Sequence, residues 1–190
     1  KSEGAVAERS SRYGALAALI TSALFTLGGA FVYLGAYSGY QFVTDIAGDG
    51  PSNPLNTEVV VSASAWLNNF RDMPILALAP TLGILLPLVA AFGFAKQWEG
   101  ITFLSSKLAI VCIISTVGLS MFPFILPSST NPSHSLTVFD ASSSQATLRN
   151  MLIATIIFLP IVLVYTAWVY TVLWGKVTEE QVKNSGTAAY

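Results

Sequence analysis

"MPILALAPTLGILLPLVAAFGFA", residues 73–95, lies between Asp72 and Lys96 and contains no charged side chain. At about 1.5 Å per residue, a helix of this length crosses a hydrocarbon core of roughly 30 Å. Three other stretches read the same way. "ALAALITSALFTLGGAFVYLGAY", residues 15–37, is the most apolar part of the charge-free window between Arg12 and Asp45. A third run begins near Ile101, carries Lys107 close to its start, and continues through "LAIVCIISTVGLSMFPFILP" to Pro127. The fourth, "NMLIATIIFLPIVLVYTAWVYTVLW", is held between Arg149 and Lys176. Inside lipid only helices and closed barrels satisfy their own backbone. The sequence therefore predicts an all-α membrane protein: one bundle of four transmembrane helices, with spans at about residues 14–37, 73–95, 101–127 and 150–175.

Composition agrees. Apolar residues make up 53% of the chain and charged residues 10%, against about 25% charged in an ordinary soluble domain. Nine Lys and Arg nearly balance ten Asp and Glu, and there is no basic run. That excludes nucleic acid as a partner. The single cysteine, Cys112, sits in an apolar run with no neighbour at zinc-ligand spacing and reads as a small hydrophobe. The opening "KSEGAVAERSSR" is too polar for a signal peptide.

Short cytoplasmic segments carry an excess of Lys and Arg. Lys1, Arg9 and Arg12 precede the first span, Lys96 and Lys107 lie around the second connection, and Lys176 and Lys183 follow the last span. The other two connections hold only Arg71 and Arg149. The expectation is that both termini are cytoplasmic. Tyr165, Trp168, Tyr170 and Trp174 fall at the end of the fourth span, as an aromatic belt requires.

In the first outward connection, "TEVVVSASAWLNNF" repeats apolar residues at Val59, Ala63, Trp66 and Phe70, one helical face. A short surface helix is predicted there, after the turn residues of "GDGPSNPLN". Gly35 and Gly39 form a GxxxG pair that would let helices approach closely. Pro74, Pro80 and Pro87 mark the second span and Pro160 the fourth, each able to free a carbonyl and bend its helix.

Residues able to do chemistry are scarce. The only histidine, His134, lies in a polar loop, and Met73, Met121 and Met151 lie near span ends, so the chain has a poor supply of haem ligands. Lys107, at the inner face, is close enough to the boundary to extend its ammonium into the interface. At the outer end of the last two spans, "FDASSSQATLR" brings together Asp140, Ser144 and Arg149. Two readings are open: Asp140 or a following serine caps the fourth helix, or the three form a polar cluster with a direct role. If the cluster is buried, Asp140→Ala should weaken assembly, since removing one partner of a buried charged pair costs about 3–5 kcal/mol. No catalytic, cofactor-binding or metal-binding residue is expected in this chain.

Four blocks carry a family resemblance. "SNPLNTEVV" at 52–60, "MFPFILPSST" at 121–130, "LTVFDASSSQATL" at 136–148 and "LPIVLVYTAWVY" at 159–170 are similar, in order and spacing, to subunit II of the cytochrome bd quinol oxidases. The chain resembles the second of that subunit's two four-helix units. The resemblance implies a haem-free accessory subunit of a bacterial inner-membrane terminal oxidase that oxidises quinol and reduces dioxygen to water. It places haems b and d in the partner subunit I, with a structural quinone as a further candidate. The implied partners are subunit I, the N-terminal half of subunit II, membrane lipid and, as a further candidate, a small single-span subunit. The rival from another class is a homo-oligomeric transporter or channel, for which Thr21, Ser22, Ser115 and Ser120 are the available polar groups within spans.

Overall fold

A backbone in hydrocarbon has no solvent to bond with, and the charge-free windows accordingly become long helices. The computed structural model describes residues 4–43, 57–139 and 141–172. The described chain is predominantly helical: α1 (Gly4–Tyr33), α2 (Asn68–Asp72), α3 (Leu78–Lys96), α4 (Glu99–Met121) and α5 (Gln145–Val172). Among the described residues four helices are long and apolar enough to cross a membrane: Ala7–Tyr33, Pro74–Lys96, Glu99–Met121 and Gln145–Val172. The strands β1 (Ser38–Phe42), β2 (Val59–Ala63), β3 (Phe124–Leu126) and β4 (Leu136–Thr137) make two small antiparallel sheets.

The chain divides into two bodies, one of residues 11–142 and one that contains α5. In the first, α3 and α4 form a hairpin whose closeness depends on small residues. A Cβ added to Gly93 would collide with Oγ1 of Thr102, and Ala90, Ala91 and Ala109 are buried. Helix α1 runs antiparallel to α3. The Ser11 hydroxyl donates to the Phe94 carbonyl at 2.6 Å, the Ser22 hydroxyl donates to the Ile84 carbonyl at 3.0 Å, and Gly83 faces the Phe25 ring. Pro87 lies inside α3 and cannot donate to the carbonyl of Gly83, and Ser22 bonds the carbonyl next to it, that of Ile84. Pro80 sits in the first turn, where its missing N–H is no loss.

Two helix ends close with the same device. After α1, Gly35 adopts φ 71°, Ala36 N–H bonds Phe31 O at 3.1 Å and Gly35 N–H bonds Val32 O at 3.1 Å. After α3, Gln97 adopts φ 57°, Trp98 N–H bonds Gly93 O at 2.9 Å and Gln97 N–H bonds Phe94 O at 3.2 Å. Both are Schellman closures, which need a left-handed residue just past the helix.

Three expectations are corrected. The Gly35/Gly39 pair is not a helix–helix motif, because Gly35 terminates α1 and Gly39 lies in β1. Residues 59–63 are strand, not helix. The β-branched Val59, Val60 and Val61 pair with β1, in the register Ser38↔Ala63 to Phe42↔Val59, and the surface helix shrinks to α2. The third span ends at Met121, not Pro127: Pro123 biases Phe122 to an extended conformation (ψ 133°), and β3 follows.

Candidate functional site

The two sheets collect at one end of the α1, α3 and α4 helices, the end opposite the Gln97 turn. Tyr40 of β1 lies 5.4 Å from Trp66 and 6.1 Å from Phe124, and Phe42 lies 6.5 Å from Phe124 and 6.0 Å from Phe139, ring centre to ring centre. These tilted and edge-on pairs hold β1, the turn before α2, and β3 in one cluster. Phe124 is buried, as are Ala65 and Val59 beside it.

Polar groups fix α2 against the end of α4. The Asn69 side-chain amide donates to the carbonyls of Leu119 at 2.8 Å and Phe122 at 2.7 Å. Both lie where α4 ends, so no later turn of that helix supplies donors to them. The Ser120 hydroxyl donates to the Trp66 carbonyl at 2.8 Å. Arg71 turns to Asn68 Oδ1 and Ser64 Oγ, both at 3.5 Å. Between these elements lies a cleft of about 390 Å³, whose lining includes Tyr40, Phe42, Asn69, Asp72, Ser120 and Phe122. Its chemistry is that of a binding surface: a carboxylate, side-chain oxygens and ring faces, without a nucleophile set beside a base.

The residues singled out from sequence lie elsewhere. Ser144 precedes α5, and its Oγ accepts from Thr147 N–H at 3.4 Å and lies 3.0 Å from Thr147 Oγ1, the geometry of a helix cap. Arg149 is exposed on the first turns of α5. Asp140 lies outside the described residues, as does Trp174. Lys107 is exposed on α4 with its Nζ 5.4 Å from the Phe103 ring centre, eight residues from Glu99 at the helix start. Gly39 does serve a close approach, though not between helices: an added Cβ would meet Trp66 N at 2.7 Å and Ala65 Cβ at 2.8 Å.

His134 is exposed, 3.3 Å from the Asn131 amide nitrogen in a short turn outside the apolar helices. Met73 and Met121 flank the helices at the cleft end, and Cys112 is a half-buried free thiol. Among the described residues no three His, Cys, Asp or Glu side chains come together as metal ligands. Of the hydroxyls within spans, Thr21 bonds back to Ala17 O at 2.9 Å and Ser22 and Ser120 bond to neighbouring segments, so each has a structural partner.

Asp72, Asn69 and Tyr40 were not singled out from sequence as site residues. The adjacent signal was Asp72 as the charge that closes the second apolar window, next to the amides Asn68 and Asn69.

Comparison with known proteins gives a consistent answer. The family model described as cytochrome bd terminal oxidase subunit II matches residues 1–173. The chain is 42% identical over 175 residues to cytochrome bd-I ubiquinol oxidase subunit 2 of Escherichia coli K12, covering 92% of this chain and 46% of that protein. It is 35% identical over 191 residues to a probable cytochrome oxidase subunit 2 of Haemophilus influenzae, covering 100% of this chain and 50% of the relative. A Bacillus subtilis cytochrome bd ubiquinol oxidase subunit 2 is 30% identical over 94 residues, 50% of this chain and 28% of the relative. The chain spans about half the length of the curated relatives it matches.

Proposed function

The chain belongs to the cytochrome bd terminal oxidase subunit II family, and from that premise we propose that it is an accessory, haem-free part of a terminal oxidase that oxidises quinol and reduces dioxygen to water. Its task is to stabilise the haem-bearing subunit I and to shield the dioxygen site with protein instead of lipid. The observation that carries this reading is the family match along residues 1–173, joined to polar side chains such as Ser22, Asn69 and Ser144 that serve packing and helix ends.

The physical account is one of surfaces. Leu24, Leu27 and Phe31 of α1 and Phe103, Ile110 and Ile114 of α4 are exposed. A membrane subunit matches such side chains against partner helices, where tight van der Waals contact replaces lipid contact. The residual chemistry of the complex would rest with the partner's haems b and d. The quinol would be oxidised there as well, and a structural quinone lodged against a proline-containing helix is a further part of the proposal. The proposed partners are subunit I, the rest of a subunit II, membrane lipid and a small single-span subunit.

The proposed setting is a bacterial inner membrane crossed several times, with both termini in the cytoplasm. The first body supports that orientation. Arg12 adjoins Ser11, which bonds the last turn of α3, so Arg12 and Lys96 share one end with Lys107 two turns inward. We further propose that Asp140, Ser144 and Arg149 meet subunit I at the outer face and Lys107 the headgroups at the inner one.

The test is gentle extraction from the native membrane through a tag on Tyr190, followed by a reduced-minus-oxidised visible spectrum and intact masses. Haem b and d bands with a larger co-purifying subunit are expected. A colourless, homogeneous 20.2 kDa species would reject the reading.

A further inference from the structure

The cleft beside α2 has a chemistry that packing alone does not use, and we infer that it binds the primary-ammonium headgroup of a phospholipid from the surrounding bilayer. This goes beyond the oxidase reading and does not depend on it.

Depth is the first argument. Asp72 stands two residues before Pro74, where the second long apolar segment begins, and Phe122 directly follows the end of α4. The cleft therefore lies at the level where hydrocarbon gives way to headgroups. Beside it, Met73 (54% exposed), Ile75 (72%) and Leu78 (57%) leave an apolar strip on the same segment. A polar head held in the cleft would rest its acyl chains there.

The second argument is the sign of the hydrogen-bonding groups. Asn69 uses its amide N–H groups on the Leu119 and Phe122 carbonyls, which leaves Oδ1 as its remaining function, an acceptor. Ser120 uses its proton on the Trp66 carbonyl, which leaves lone pairs. Asp72 contributes a carboxylate, an acceptor only. Tyr40 and Phe42 add ring faces, whose quadrupole attracts cations. Arg71, the nearest cation in sequence, reaches toward Ser64 and toward Asn68 at the edge of the lining, and no ion pair between it and Asp72 is among the contacts of the described residues. Gln41 and Asn68 also line the cleft and add amide groups of both signs, but its one charge is the Asp72 carboxylate, and with the ring faces beside it this suits a cation with several N–H donors. Primary ammonium has three; a choline headgroup has none, and a glycerol headgroup has no positive charge.

The test uses the protein purified in mild detergent, together with any subunits that accompany it, and stripped of lipid. Native mass spectrometry follows its titration with dioleoyl phosphatidylethanolamine, phosphatidylcholine or phosphatidylglycerol. The ethanolamine lipid should bind about tenfold more tightly than the other two, the scale of one charge-assisted contact. Asp72→Asn, which keeps the shape and removes the charge, should erase that preference, and Asp72→Glu should keep it. Equal binding of the three lipids, or an undiminished preference in Asp72→Asn, would overturn the proposal. So would a photo-crosslinker placed at Phe42 that captures a protein subunit instead of the lipid.

Discussion

The side chain of Asn69 bonds two carbonyls at the end of α4, those of Leu119 at 2.8 Å and Phe122 at 2.7 Å, and thereby ties the short helix α2 to a membrane-length helix fifty residues further on. Asn69→Ala would leave both acceptors without that donor. The site is only part-buried, so the expected loss is about 1–2 kcal/mol, toward the low end for an unsatisfied group. Asn69→Asp should be worse, since it sets a carboxylate against carbonyl oxygens. Thermal unfolding in detergent checks the order: wild type highest, Ala lower, Asp lowest.

Gly39 and Gly28 should respond in opposite directions to the same substitution. A Cβ at Gly39 meets backbone nitrogens of Trp66 at 2.7 Å and Ala65 at 2.9 Å, which cannot swing away as a side chain could. Gly39→Ala should therefore destabilise by about 1–3 kcal/mol. Gly28 lies within α1, and a Cβ there meets nothing within 4 Å. Gly28→Ala should stabilise the chain by about 0.5–1 kcal/mol through helix propensity. The pair is read from denaturation midpoints of the two variants.

Ser22 is 4% exposed and donates to the Ile84 carbonyl three residues before Pro87. Ser22→Ala should cost about 0.6 kcal/mol, the average for an interhelical hydrogen bond in a membrane, and no more than about 1.7. Thr21→Ala, one residue away, loses only a bond to its own helix at Ala17 and should be near neutral. Amide hydrogen exchange over residues 84–90 should rise in the first variant and not in the second.

Gln97 is a non-glycine residue in a left-handed conformation, φ 57° and ψ 33°, at the Schellman closure of α3. Gln97→Gly should stabilise by about 1 kcal/mol, because glycine has no Cβ to strain there. Gly35→Ala, the mirror experiment at φ 71° after α1, should destabilise by a similar amount. Melting temperatures of both variants, measured in one detergent, decide it.

The long apolar helices were legible because each is set by a local property, the absence of charge over a window that matches bilayer thickness. What the sequence hid was set by distant partners. Val59, Ala63, Trp66 and Phe70 are spaced as one helical face, yet residues 59–63 form a strand because Ser38–Phe42 lies beside them. The Gly35/Gly39 spacing looks like a helix contact until α1 closes at Tyr33 and the intervening residues turn into β1. Ser144 was anticipated as one of the candidate caps of the fourth helix, a signal carried by residue type and position alone. The cleft was not anticipated, since Tyr40, Asn69 with Asp72, and Ser120 are far apart in sequence and meet only in the folded chain.

The proposed role of this chain is to support a haem-bearing partner subunit and not to hold haem itself. The most direct measurement is the haem content of subunit I in membranes made with and without this chain, read from the reduced-minus-oxidised spectrum and normalised to the amount of subunit I. The account predicts that the haem b and d bands fall sharply without the chain and return when it is supplied. Full haem bands and full quinol oxidation without it would contradict the account.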